Sequence, residues 1–77
     1  MYNPEVLRQA RLAGGFTLRE VGDSADLDPS AIAAYEKRRA NPSVGAMNRW
    51  ESALETLLVA RALAVEVATV GLKRQAS

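Results

Sequence analysis

The 77-residue chain is 48% hydrophobic and 25% charged, with a formal net charge of +1, which fits one small globular domain and leaves no room for a second. It contains no Cys and no His. That removes disulfides, thiol nucleophiles, thiolate metal sites and the commonest general base, so no catalytic centre, metal or cofactor is expected.

Asn3-Pro4-Glu5 reads as a helix start, with a capping Asn, a Pro at the first helical position and an acid at the positive end of the dipole. Val6, Leu7, Ala10 and Leu12 supply its apolar side, and Gly14-Gly15 ends it. Thr17-Leu18-Arg19-Glu20 is a capping box flanked by Phe16 and Val21 in the places of a hydrophobic staple, so a short helix runs from Leu18 to about Ala25. Asp28-Pro29 repeats the start signal for a helix to about Lys37. Lys37 to Pro42 is a basic loop ending at a Pro, and Ser43 caps a further helix. From Val44 to Val70 there is no Pro. Val44, Met47, Trp50, Leu54, Leu57, Leu58, Leu63, Val67 and Val70 recur at helical spacing. One long helix or two helices with a bend near Ser52 to Thr56 both fit, and the β-branched run from Val65 to Val70 admits a short strand. Lys73 to Ser77 is a polar tail expected to fray. The fold class is therefore all-α, a compact bundle of four to five helices with a long apolar C-terminal helix. No N-terminal leader is visible, and no uncharged stretch is long enough to span a bilayer.

Leu18 to Lys37 has the pattern of a helix-turn-helix, which needs apolar inner faces and small residues where the helices cross. Val21, Ala25, Leu27, Ile32 and Tyr35 make the inner set, Gly22 is the small residue and Asp26 falls in the turn. Together with Phe16-Thr17, Tyr35-Glu36, Asn41-Pro42-Ser43 and Ala53-Leu54, these residues make the chain resemble the Cro and lambda-repressor helix-turn-helix family from about Leu7 to Leu54. The resemblance implies that Arg11 and Glu36 form a structural ion pair. It implies that the helix starting at Pro29 lies in the major groove of double-stranded DNA, with the Leu18 helix crossing the backbone above it. Base-reading positions then fall on Pro29, Ser30, Ala33 and Ala34. Phosphate contacts fall near Thr17, Leu18, Arg19, Lys37, Arg38, Arg39 and Asn41.

Three residues depart from the family pattern. Leu18 stands where members often carry Gln, and Asp26 and Arg38 stand where many carry Gly. The base-reading positions offer one hydroxyl between them and none of the bidentate groups that read purines, so readout leans on Ala against thymine methyls, on Ser30, on flanking Arg residues and on DNA shape.

The C-terminal helix carries more apolar residues than one small bundle buries, and Leu54, Leu57, Leu58, Leu63, Val67 and Val70 are the expected homodimer interface. The alternative is that this helix folds back onto its own core. The expected organisation is a DNA-binding core over 1–54, a dimerising extension over 55–72 and the tail over 73–77. The expected function is a Cro-like regulator acting as a homodimer on a near-palindromic operator, in the cytoplasm of a bacterial cell or phage-infected host, with no membrane or small-molecule partner. The alternative function is a protein-interaction module of the antitoxin or anti-repressor type. It would use the helix-turn-helix as a scaffold and grip a protein with the C-terminal helix.

Overall fold

The computed structural model describes residues 3–76, with side chains through Gly71. Four helices follow in order: α1 (Pro4–Gly14), α2 (Leu18–Ala25), α3 (Pro29–Glu36) and α4 (Val44–Ala76). No strand occurs among the described residues.

The start signals act as their chemistry dictates. The Asn3 side chain accepts from the Val6 N–H at 2.9 Å, and the Ser43 hydroxyl accepts from the Ala46 N–H at 3.1 Å. Thr17 and Glu20 close a reciprocal box, each side chain accepting from the other's backbone N–H at 3.0 and 3.1 Å. Each such cap satisfies donors that the helix itself leaves unpaired, and is worth about 1 kcal/mol.

Leu7, Phe16, Val21, Ile32, Met47, Trp50 and Leu54 form one buried cluster. Burying each large side chain contributes about 1.5–3 kcal/mol, and the cluster draws on all four helices. Trp50 is its centre, fully buried and tilted against Tyr35 with ring centroids 5.8 Å apart. Its indole Nε1 has no acceptor. On α1 only Leu7 is fully inside among the expected apolar residues; Val6 and Leu12 are exposed.

α4 resolves the alternatives for the C-terminal half. It is a single helix, neither bent into two nor ending in a strand. The Thr69 hydroxyl donates to the Val65 carbonyl at 2.8 Å, a bond within the helix that absorbs the one hydroxyl of the β-branched run. The boundary expected at residue 54 falls inside this helix. Its backbone continues through Ala76, so the segment from Lys73 begins as helix; Ser77 lies outside the described residues, as do Met1 and Tyr2.

The globular unit reaches as far as Arg61. Leu57 and Leu58 pack on the core. The Arg61 guanidinium lies over the Phe16 ring at 4.5 Å and donates to the Gly14 carbonyl. This ties α4 to the C-terminal end of α1. No helix among the described residues is long and apolar enough to cross a membrane.

Candidate nucleic-acid interface

α2 and α3 are joined by Asp26, Leu27 and Asp28. The turn is tight because the chain reverses with the N–H groups of Asp26 and Leu27 both donating to the Gly22 carbonyl. Asp26 takes the left-handed conformation, φ 56° and ψ 47°, which Asp adopts more readily than most residues. Gly22 sits at the crossing. A Cβ there would lie 2.6 Å from the Leu27 carbonyl oxygen and 3.3 Å from the Pro29 nitrogen. Because both neighbours are backbone, a side chain at this position would push α3 away from α2.

α3 is held from both ends. Asp28 caps its start, accepting from the Ser30 N–H at 2.8 Å and from the Ser30 hydroxyl at 2.7 Å. These bonds hold the Asp28 carboxyl below its ordinary range, the hydroxyl contributing most and the N–H next. The end of α3 is fixed by Glu36, which is buried. Arg11 donates to it twice, from Nε at 2.7 Å and from Nη2 at 2.9 Å, and gives Nη1 to the Phe16 carbonyl at 3.0 Å. The ion pair expected from the sequence is thus a bidentate fork, with side-chain exposures of 14% and 5%. Its hydrogen bonds to Glu36 raise the Arg11 pKa further above its ordinary value.

With Ile32 and Glu36 turned inward, the opposite side of α3 is open. Ser30 is exposed, Pro29, Ala33 and Ala34 are half-buried, and Lys37, Arg38, Arg39 and Asn41 are all exposed in the loop that follows. The expected base-reading residues thus lie along α3, from its start to its middle, and the basic residues lie exposed in the loop beyond its end. Arg38 lies at φ 59°, where the family pattern has Gly. Its N–H donates to the Tyr35 carbonyl at 3.2 Å and that of Arg39 to the Ala34 carbonyl at 2.9 Å, so α3 closes in a Schellman motif with Arg at the left-handed position.

At the start of α2, Thr17 and Arg19 are exposed, whereas Leu18 is half-buried against the core. Leu18 offers its backbone to the surface and turns its side chain to packing. The capping box takes the N–H groups of Thr17 and Glu20 and leaves those of Leu18 and Arg19, the first two helical positions, to other acceptors.

The six residues expected at a dimer interface fall into two groups. Leu54 is 2% exposed and belongs to the chain's own core. Leu57 and Leu58 are half-buried against it. For these three the fold-back alternative holds, because this part of α4 packs on the core that α1 and α2 share. Leu63, Val67 and Val70 lie beyond that reach and are exposed.

Two features escaped sequence reasoning. Ser30 gives its proton to Asp28; the Asp-x-Ser spacing at a cap was the available signal. Arg61 ties α4 back to α1, and nothing in the sequence around one Arg of a long helix announces that.

No curated protein and no solved structure matches the chain. A family model described as helix-turn-helix matches residues 7–59. The match runs from the buried Leu7 of α1 to the point where α4 leaves the core, and takes in the whole α2–turn–α3 unit. The chain belongs to this helix-turn-helix family of XRE type, the Cro- and lambda-repressor-like regulators of transcription that bind DNA.

Proposed function

We propose that the protein acts as a homodimer on a near-palindromic DNA site, with α3 in the major groove and α2 above the backbone. The observation that supports this reading is that Ser30 on α3 and Lys37, Arg38, Arg39 and Asn41 in the loop that follows are exposed, with Ala33 and Ala34 half-buried between them in the chain. The basic loop and the N–H groups of Leu18 and Arg19 take phosphates and set the register. Ala33 and Ala34 meet thymine methyl groups. Ser30 reads as an acceptor, because its proton goes to Asp28.

The test is a salt titration on duplex DNA. The wild-type chain should bind with an affinity that falls steeply with salt. Arg39→Ala should weaken binding across all sequences and reduce the logarithmic salt slope by about one. Absence of binding at low salt would overturn the reading. It would leave the second one, a protein-binding module. That reading is favoured by a recognition face with a single hydroxyl and by the exposed apolar end of α4, and there Leu63→Asp would abolish the activity while Arg39→Ala would not.

A further inference from the structure

The two helices of the helix-turn-helix begin with opposite chemistry. At the start of α2 the capping box leaves the N–H groups of Leu18 and Arg19 open. At the start of α3 every donor is taken. Pro29 has no N–H. The Ser30 N–H and the Ser30 hydroxyl both donate to Asp28 Oδ1, at 2.8 and 2.7 Å. The N–H groups of Ala31 and Ile32 donate to the Asp28 carbonyl at 2.9 and 3.2 Å. From Pro29 to Ile32 no N–H or O–H is left for a ligand.

Acceptors are what this turn has to offer. A serine hydroxyl has one proton and two lone pairs, so Ser30 Oγ, its proton given to Asp28, can only accept. Asp28 Oδ2 receives no hydrogen bond from any described residue. The hydroxyl bond first, and the N–H bond next, hold the Asp28 carboxyl below its ordinary range, which keeps it ionised and without a proton to donate. Both residues are exposed. The first turn of a helix normally draws anions. Here a carboxylate already stands in that place, and any further acceptor brought to it is repelled.

The bases differ in the sign of what they present in the major groove. Guanine offers O6 and N7 and thymine offers O4, all acceptors, whereas adenine and cytosine carry donating amino groups at N6 and N4. We propose that the first turn of α3 reads an exocyclic amino group, adenine N6 or cytosine N4, and that Asp28 is a specificity-determining residue for it. The proposal rests on the reading above that places α3 in the major groove, and it gives that reading a base class. Asp28 acts in two ways. It fixes the polarity of Ser30 by taking its proton, and it sets a second acceptor, Oδ2, beside Ser30 Oγ. A guanine or thymine at the same place meets lone pairs with lone pairs.

The experiment is a selection from randomised duplex DNA, run in parallel with the wild type, Asp28→Asn and Ser30→Ala. The wild-type site should contain, in each half, a position where A or C on one strand is preferred over G or T by about tenfold. Asp28→Asn keeps a capping oxygen for the Ser30 N–H and turns the outward atom from acceptor into donor. It should relax or reverse the preference at that position and leave the others unchanged. Ser30→Ala keeps the carboxylate and should narrow the preference without reversing it. Removing the amino group from the selected base should weaken wild-type binding about tenfold and leave the Asp28→Asn, Ser30→Ala double variant unaffected, which controls for the weaker base pair. The near-ultraviolet signal of buried Trp50 checks that each variant is folded. An enriched site that is the same for the wild type and Asp28→Asn would overturn this assignment and leave the DNA-binding reading standing. Absence of duplex binding at low salt would overturn the DNA-binding reading and this assignment with it.

Discussion

Two helices of this protein end in the same way on different residues. At the end of α1 the N–H of Gly15 donates to Leu12 and that of Phe16 to Arg11, with Gly15 at φ 71°. At the end of α3 the N–H of Arg38 donates to Tyr35 and that of Arg39 to Ala34, with Arg38 at φ 59°. A left-handed residue with a side chain costs about 1–2 kcal/mol. At the end of α1 the chain avoids that cost, and a Cβ on Gly15 would also come within 3.1 Å of the Arg61 guanidinium. At the end of α3 it accepts the cost, at an exposed Arg in the basic loop. Strain held at a site of function is a recurring pattern. Conformation decides the residue at the packed end; at the open end the chain carries the conformational cost together with an exposed Arg side chain.

The two ends are joined by Arg11, whose guanidinium binds Glu36 at the end of α3 and the Phe16 carbonyl beside Gly15. Breaking that link has the largest expected effect. Glu36→Ala leaves a half-buried guanidinium without its carboxylate and should lower unfolding stability by about 3 kcal/mol, read from a urea midpoint. Glu36→Gln keeps the shape and one acceptor and should lose less. Equal losses from the two would mean that the pair acts only by filling space. Next comes Gly15→Ala, which should cost about 1–2 kcal/mol from its positive φ. A neutral Gly15→Ala would remove the contrast between the two ends.

How far the sequence announces these features depends on the range of the interaction. The caps at Asn3, Thr17, Asp28 and Ser43 are local chemistry, and each is legible from two to four residues. The crossing at Gly22 is legible because the spacing of Val21, Ala25, Leu27 and Ile32 leaves one place for a small residue. The limit of the core is not. Apolar residues continue along α4 at the same spacing from Leu54 to Val70, and only the lengths of α1 and α2 determine that the body stops near Arg61. Hence Leu54, Leu57 and Leu58 read as interface and serve as core. Leu18 misleads for the reverse reason. It occupies a position where relatives often carry a polar contact, but a Leu there gains more by packing on the core. The left-handed turn at Arg38 is visible only as a departure from the family's Gly. A periodicity argument carries no information about φ.

Arg38→Gly sharpens the comparison most directly, because it gives α3 the ending that α1 already has. Relief of the left-handed strain should stabilise the fold by about 1–2 kcal/mol, and the extra freedom of Gly in the unfolded chain should offset about 0.5–1 of it. The net expectation is a gain of at most about 1.5 kcal/mol, seen as a higher urea midpoint with an unchanged slope. The same variant should bind DNA more weakly, with a logarithmic salt slope smaller by about 0.9, the value for one phosphate fewer neutralised by the protein. Arg38→Lys is the control that keeps both the charge and the strain, and it should match the wild type in stability. If Arg38→Gly gains stability and keeps the full salt slope, the Arg38 cation has no phosphate partner and its conformational cost has no counterpart in binding. If it loses stability, the Arg38 side chain contributes to the fold in a way that its exposure does not show.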